Sequence, residues 1–260
     1  MPSRRSVMVA TLAAPLLALI GGHGRIADAA GPVIPLPDKD RTQLDALLGK
    51  GVVGDALPSA PLGNAATYMP PKGKATSYKV ITQGEKAGSE THRVEDTTDP
   101  SFAPGTHYTI EQVGESFFQE IAAGQVITVA EKDLDNKVLS RFTPGDPLIV
   151  PGMQPGQSVK SSHKVEVYNL SNLKKMAHSG SLDVIYTYIG TYRVTVPAGS
   201  YDAALIRWDY SGKIGPATIK DSQYRFLAKD AGMVAMIQIR SISAMLIYND
   251  HTKRGKLLEK

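Results

Sequence analysis

The sequence contains no cysteine and carries only a small excess of positive charge. Without cysteine the fold cannot be cross-linked by disulfides, so it must depend on burial of a core, and a lipidated N-terminal cysteine is excluded. The formal net charge is +4 over 260 residues, which is too little for the electrostatic footprint of a nucleic-acid-binding protein. The sequence therefore predicts neither a disulfide scaffold nor a nucleic-acid partner.

Recognisable catalytic and metal-binding motifs are scarce as well. The chain has no G-x-S-x-G elbow, no H-E-x-x-H and no phosphate-binding glycine loop. Asp133, Asp135 and Asn136 resemble the start of a calcium loop, but the required glycine and distal glutamate are missing. The histidines beyond residue 30 never stand at i, i+2 or i, i+4 spacing with one another; they are His92, His107, His163, His178 and His251. We therefore expect no enzyme, no catalytic residue, no metal and no cofactor. An unrecognised hydrolase stays open as the alternative, because the separation of a catalytic carboxylate pair depends on the fold and not on sequence spacing.

Residues 49–54 read G-K-G-V-V-G and match the dinucleotide-binding pattern G-x-G-x-x-G. Such a site needs a strand before the glycines and a helix after them, because the phosphate must meet a helix N-terminus. Here a predicted helix precedes the glycines, and Pro58 follows them. We interpret the segment as a helix cap and loop.

The first residues have the three parts of an export signal. Arg4 and Arg5 supply the charged start, residues 6–22 are uncharged, and Ala27-Asp28-Ala29 forms a small-x-small cleavage site. The uncharged run of about 17 residues is short for a membrane-spanning helix, which needs roughly 20. We expect residues 1–29 to be removed and the mature protein to reside in the periplasm with no stable membrane span. The general secretory route is favoured, and the paired arginines leave the twin-arginine route open.

The rest of the chain divides by composition into three segments. Residues 30–74 are rich in proline and glycine, which interrupt hydrogen-bonded ladders, and contain one predicted helix at 40–48. Residues 75–250 alternate apolar and polar positions in short runs rich in Val, Ile, Thr and Tyr, which is typical of β-strands. Residues 251–260 are polar and basic, and we interpret them as a solvated or frayed tail.

This pattern predicts an all-β fold with few helices. Because no helices intervene as crossovers, neighbouring strands should be antiparallel, and long strands in one sheet must twist and coil. The expected architecture is a long curved antiparallel sheet or an incomplete barrel, with one short N-terminal helix. Clean alternation, as in residues 206–210, predicts one wet and one covered face.

Aromatic residues are concentrated between residues 186 and 226. Tyrosine and tryptophan combine apolar area with a polar tip and suit the mouth of a cavity that takes an amphiphilic ligand. The commoner alternative is that they form the core and cross-strand pairs of the sheet. The candidate ligand-binding residues are Tyr186, Tyr188, Trp208, Tyr210, Tyr224 and Phe226.

Residues 190–203 read G-T-Y-R-V-T-V-P-A-G-S-Y-D-A and resemble the signature G-x-x-x-V-x-V-P-A-G-[ST]-[FY]-x-A of a family of uncharacterised periplasmic β proteins. The sheet of that family is similar to the incomplete barrel of lipoprotein carrier proteins. Within the motif, Pro197 should end a strand ladder and Gly199 should permit positive φ in a hairpin turn. Gly232 should free the backbone before a later strand. The resemblance implies no reaction, and it implies a sheet that cradles an apolar ligand.

Two functions follow as alternatives. One is a periplasmic protein that binds or carries a lipid or other apolar small molecule on its curved sheet. The other is an envelope scaffold that holds a protein partner without a small-molecule ligand, using a sheet edge or the proline-rich segment. A carrier should contain a continuous cavity, whereas a scaffold should have a filled core and an exposed edge.

Overall fold

A computed structural model describes residues 31–244 and 248–260, and within them the fold is almost entirely β. The predicted export signal, residues 1–29, lies outside the described residues. Helix α1 spans Asp38–Leu48, where the sequence predicts 40–48. The described strands are β1 (Val53–Leu57), β2 (Thr76–Thr82), β3 (Glu85–Asp96), β4 (Gly105–Ile110), β5 (Glu115–Ala122), β6 (Gln125–Asp133), β7 (Val138–Pro147), β8 (Ser158–Asn169), β9 (Asn172–Val196), β10 (Gly199–Ile214), β11 (Ala217–Ala228), β12 (Gly232–Ala244) and β13 (Tyr248–Leu258).

Strands β2 to β13 form one closed antiparallel sheet in which each strand pairs with the next along the chain. The ring closes because β13 also pairs with β2, with Lys256 opposite Val80. Strand β1 lies outside the ring and pairs with β9 at residues 191–194. The all-β antiparallel fold with one short N-terminal helix is confirmed, but the sheet is closed rather than an incomplete barrel. Closure removes the two edges that an open sheet would expose.

The closing strand, β13, has a polar sequence. The interpretation of residues 251–260 as a solvated tail is wrong, because most of them belong to a strand that pairs with β12 and β2. Lys256 faces the inside of the ring, where it is only 2% exposed and bonds to Glu90. Leu257 faces the other way and packs in a core outside the ring. A polar strand that faces a polar interior has the composition of a solvated tail, so composition alone cannot distinguish the two.

Helix α1 covers the outside of the ring at strands β12, β13 and β2. Its apolar stripe, Leu44, Leu47 and Leu48, is buried against outward-facing side chains of the sheet. Gly255 permits this close approach, since a Cβ atom there would lie 2.7 Å from the carbonyl oxygen of Leu47. A substantial part of the core therefore lies outside the ring, between helix and sheet.

Asp40 anchors this helix to the sheet instead of capping it. The helix begins at Asp38, two residues before the predicted start, and it has no side-chain cap. Asp40 is 3% exposed, and its Oδ1 accepts hydrogen bonds from the hydroxyl of Tyr224 at 2.7 Å and from Nη1 of Arg207 at 3.0 Å. The carboxylate therefore fixes the helix against β10 and β11.

Residues 60–73, which we call the crossing segment, run over one end of the ring. Their backbone is hydrogen-bonded in turn to the β7–β8 loop, the β5–β6 turn, the β11–β12 turn and strand β3, at Met153, Gly124, Asp230 and Val94. Leu62, Ala65 and Tyr68 of the segment are buried in a cluster with inward-facing side chains that include Trp208. The crossing segment therefore closes this end of the ring. At the other end, no segment among the described residues crosses it.

The three glycine and proline positions assigned to turns lie at the sealed end. Pro197 and Ala198 connect β9 to β10, and Gly199 follows with φ of +135°. Gly232 has φ of +77°, and a Cβ atom there would lie 2.7 Å from the backbone nitrogen of Pro70. Gly232 therefore admits the crossing segment as well as the turn.

Candidate ligand cavity inside the closed sheet

The ring encloses a cavity of about 400 Å³. Every strand from β3 to β13 contributes to its wall, and Tyr68, Met69 and Pro70 of the crossing segment form its floor. The volume lies within the range of about 300–1,000 Å³ that small-molecule sites occupy. The closed sheet is thus not filled by its own side chains throughout.

Four of the six predicted ligand-binding residues lie on the inward face of the ring. Trp208 and Tyr210 line the cavity. Tyr186 and Tyr188 are each only 1% exposed and pack in the cluster beneath the crossing segment. The hydroxyl of Tyr188 donates to the carbonyl of Ala60 at 3.1 Å, which ties the segment to β9.

Tyr224 and Phe226 lie on the opposite face and do not line the cavity. Both are buried in the core that α1 covers. Side chains alternate along a strand, so the inward positions of β11 are the neighbouring Asp221, Gln223 and Arg225, which do line the cavity. The sequence showed that side chains of β11 alternate between two faces of the sheet. It did not show which of the two faces the closed sheet would enclose.

One part of the cavity wall is apolar. It is formed by six apolar side chains, one from each of the consecutive strands β7 to β12, on the side remote from the crossing segment. We call these six side chains the apolar band. In the strand pairing, Phe142 is opposite Val165, and Ile219 is opposite Ile242. The apolar band consists of Phe142, Val165, Leu182, Ile214, Ile219 and Ile242.

A second part of the wall is a polar relay across β11, β12 and β13. Asp221 Oδ2 accepts hydrogen bonds from Nε2 of Gln223 at 2.7 Å and of Gln238 at 2.8 Å. Each glutamine then accepts through Oε1: Gln223 from Nε and Nη2 of Arg225, at 3.1 and 2.6 Å, and Gln238 from Nε of Arg254, at 2.8 Å. Burial raises the pKa of Asp221, and the glutamine hydrogen bonds oppose that shift. One buried carboxylate therefore orients two guanidinium groups.

Arg225 also lies over the ring of Trp208. Its guanidinium carbon is 3.6 Å from the ring centroid, well within the range of a cation–π interaction. The indole Nε1 of Trp208 is buried and has no hydrogen-bond partner among the described residues. The aromatic residue predicted to bind a ligand thus holds a cation in place at the cavity wall.

Beside Arg254, Glu90 forms a buried cluster with Lys256 and His92. Lys256 Nζ bonds to the Glu90 carboxylate, and His92 Nε2 lies 3.0 Å from the same oxygen. Burial raises the pKa of Glu90, but the hydrogen bond with His92 and the charges of Lys256 and Arg254 outweigh it and lower the pKa to about 2. Burial lowers the pKa of both His92 and Lys256.

Asp146 forms a third polar group on the wall. It accepts hydrogen bonds from the hydroxyls of Tyr186 and Tyr210, at 2.5 and 2.8 Å. Tyr186 continues the chain to His163 Nε2 at 3.0 Å. Burial, followed by the charge of Asp146, raises the pKa of both tyrosines, which therefore stay neutral donors. His163 is a hydrogen-bonded buried histidine, and no group of three or more metal-ligating side chains occurs in the described ranges.

Glu131 is an acidic group of the wall that titrates near neutral pH. Burial, followed by the charges of Glu115 and Asp133, raises its pKa to about 7. It lines the cavity and is half-buried. The charge of the cavity wall therefore changes around neutral pH.

The polar wall was missed from the sequence although its pattern was visible. Residues 221–225 read D-S-Q-Y-R, 238–240 read Q-I-R and 254–256 read R-G-K, so polar side chains recur at every second position. This alternation indicates a polar face, which is usually the solvated one. In β11 to β13 that face is enclosed instead, and the apolar face is covered from outside by α1.

The fold and the cavity define a closed antiparallel β protein with an amphipathic interior. No helix in the described parts of the chain is long and apolar enough to cross a membrane. Residues 119–238 match the model of a family described as DUF3108-like, and this match includes the apolar band except Ile242 and the polar relay except Arg254. No curated protein matches the chain.

Two solved structures are similar to the chain. One is a protein from Bacteroides fragilis described as exported and of YmcC-like fold, with a TM-score of 0.45, 16% identity, and coverage of 78% of this chain and 98% of its own. The other is described as a lipoprotein from Parabacteroides distasonis, with a TM-score of 0.39, 14% identity, and coverage of 75% and 97%. Neither description names a reaction or a ligand, and we infer nothing about function from scores below 0.5.

Proposed function

We propose that the protein is a non-catalytic protein of the cell envelope that binds an amphiphilic, lipid-like molecule inside its closed sheet. The observation that carries the proposal is the cavity of about 400 Å³, whose wall combines the apolar band with the polar relay. An amphiphile has the same two parts. Each methylene group buried on the band would contribute about 0.8 kcal/mol before the cost of ordering the ligand.

The periplasm is the compartment that the sequence favours for this activity. Arg4 and Arg5, the uncharged run after them and the Ala27-Asp28-Ala29 site have the order of an export signal. A carrier in that compartment would shield the apolar part of its ligand from water during transfer between membranes or protein partners. The ligand is therefore proposed as an envelope amphiphile.

The alternative, a scaffold that binds a partner along a sheet edge, has less support. Such a scaffold should have a filled core and an exposed edge. Outside the ring, β1 pairs with β9 alone among the described residues. Each of the twelve strands of the ring has a neighbour on both sides, and the ring encloses unfilled space. Both features favour the binding protein.

Native mass spectrometry of the protein purified from its own envelope tests the proposal. We expect an additional mass that is released by organic solvent and that behaves as an amphiphile in the extract. Ile219→Trp places a larger side chain within the apolar band and fills the cavity, so it should abolish the additional mass. Lys220→Trp, at the adjacent exposed position on the other face, is the matched control and should retain it. Wild-type protein without any bound small molecule would favour the scaffold.

A further inference from the structure

The polar relay contains two arginines that are oriented but not neutralised. Arg225 has no carboxylate within 4 Å among the described residues. Arg254 has only Glu90 Oε1, at 4.0 Å. Glu90 bonds to Lys256 and His92 through Oε2, and its Oε1 lies beyond hydrogen-bond distance of Arg254.

The other carboxylates that line the cavity, Glu115 and Glu131 included, make no ion pair with either arginine among the described residues. Asp146 is occupied by Tyr186 and Tyr210. Asp221 accepts hydrogen bonds from the amides of Gln223 and Gln238 through Oδ2, and it makes no direct hydrogen bond to either arginine. Two guanidinium groups therefore face the cavity without a carboxylate within hydrogen-bond distance in the described ranges.

The relay leaves donors of both arginines available. A guanidinium has five N–H donors, and Arg225 uses Nε and one hydrogen of Nη2 on Gln223. Arg254 uses Nε on Gln238. The remaining donors have no hydrogen-bond acceptor within the described ranges. Fixed guanidinium groups with free N–H donors are suited to the paired oxygens of a carboxylate or a phosphate.

We propose that Arg225 and Arg254 bind the anionic oxygen head group of an amphiphile, a carboxylate or a phosphate, whose apolar part lies on the apolar band. This inference rests on the proposed function and specifies its ligand class. The stacking of Arg225 on Trp208 restricts the side chain before the ligand arrives, so less conformational entropy is lost on binding.

Titration calorimetry with four ten-carbon probes below their micellar concentrations tests the head group. The probes are decanoate, decyl phosphate, decanol and decyltrimethylammonium. An added charge-assisted hydrogen bond should make decanoate or decyl phosphate bind at least about tenfold more tightly than decanol. Comparison of the two anions shows whether the site prefers carboxylate or phosphate. Tightest binding by the cationic probe, or equal binding of decanol and both anions, would overturn the inference.

Arg225→Gln and Arg254→Gln test whether these side chains provide the preference. Each should weaken binding of the preferred anion by at least about tenfold and leave decanol binding within about twofold. Arg93→Gln replaces an arginine on the outer surface, whose side chain is 41% exposed, and should change neither. Unchanged anion binding in both cavity variants would contradict the assignment. A matching thermal unfolding midpoint for each variant shows that the fold is retained.

Failure of this inference can be distinguished from failure of the proposed function. If decanol binds and Ile219→Trp abolishes its binding, the proposed amphiphile-binding function is supported even when the anionic head group is not. If no probe binds and the protein from its own envelope carries no small molecule, both proposals fall.

Discussion

In strands β10 to β13 the apolar face points out of the ring and the polar face points into it. A polar face is usually the one exposed to solvent, so this arrangement is reversed. The outward face presents Leu205, Phe226 and Ile237 to the core that α1 covers, and all three side chains are fully buried. The inward face presents Asp221 and Arg225 to a cavity. The outer face therefore stabilises the fold, which leaves the inner face free to serve a ligand. Substitutions on the two faces should consequently have different effects.

The largest expected difference is between two apolar residues of β11. Phe226→Ala removes a side chain with 0% exposure from the outer core and should lower the free energy of unfolding by about 3–5 kcal/mol. Ile219→Ala, on the inner face, enlarges a space that already exists and should cost about 1 kcal/mol or less. Urea denaturation of both variants measures the difference. Equal losses would show that the inner face is packed as tightly as the outer one.

Glu90 should make the inner face sensitive to acid. Its pKa is lowered to about 2, so its stabilising contribution is present above about pH 4.5 and is lost as the pH falls towards 2. The loss should be about 3 kcal/mol, at 1.36 kcal/mol per pH unit. Glu90→Gln should remove this part of the pH dependence in urea denaturation between pH 5 and pH 2. Glu95→Gln, at an exposed position, should keep the wild-type slope, and the same slope in Glu90→Gln would contradict the cluster.

Asp40 tests the attachment of α1 to the outer face. Asp40→Ala leaves the Tyr224 hydroxyl and the Arg207 guanidinium without their shared acceptor, so we expect a loss of about 2 kcal/mol in unfolding free energy. Asp38→Ala, at an exposed position in the same turn, should cost less than about 1 kcal/mol. Indistinguishable losses would mean that Asp40 acts only through the helix dipole.

Glu131 should produce the smallest effect, with the opposite sign to Glu90. Its folded pKa of about 7 lies above the ordinary value of 4.5, so the native state binds more protons and stability falls as the pH rises from 4.5 to 7. Glu131→Gln should therefore stabilise the protein by about 1 kcal/mol at pH 8, after allowance for water in the cavity, and have little effect at pH 4. Thermal unfolding at the two pH values measures this, and stabilisation at pH 4 alone would contradict it.

Local patterns were sufficient to predict the helix and most strands between residues 75 and 244, but not β1 or β13. Period-two runs beyond residue 75 indicated an antiparallel sheet, and residues 40–48 were predicted to be helical. Leu44, Leu47 and Leu48 of that helix pack against the sheet. The G-x-G-x-x-G match was interpreted as cap and loop, and residues 49–54 do connect α1 to β1. These features depend on residues that are close in the chain.

Closure and the enclosed face could not be predicted because they depend on distant pairs. Strand β13 closes the ring by pairing with β2, where Lys256 lies opposite Val80, which is far away in the sequence. Alternation on β11 separates Phe226 from Arg225, but it does not tell which of the two faces the inside. In the structure α1 covers the apolar face from outside, so the polar face is the one that is enclosed.

Thiol labelling tests most directly whether the inner face encloses a ligand space. The natural chain has no cysteine, so Ile219→Cys and Lys220→Cys each carry one thiol, on opposite faces of β11. With decanoate or decanol at ten times its Kd, labelling of Ile219→Cys by N-ethylmaleimide should slow about tenfold, and labelling of Lys220→Cys should not change. Equal protection of both thiols, or of neither, would contradict a binding cavity inside the closed sheet.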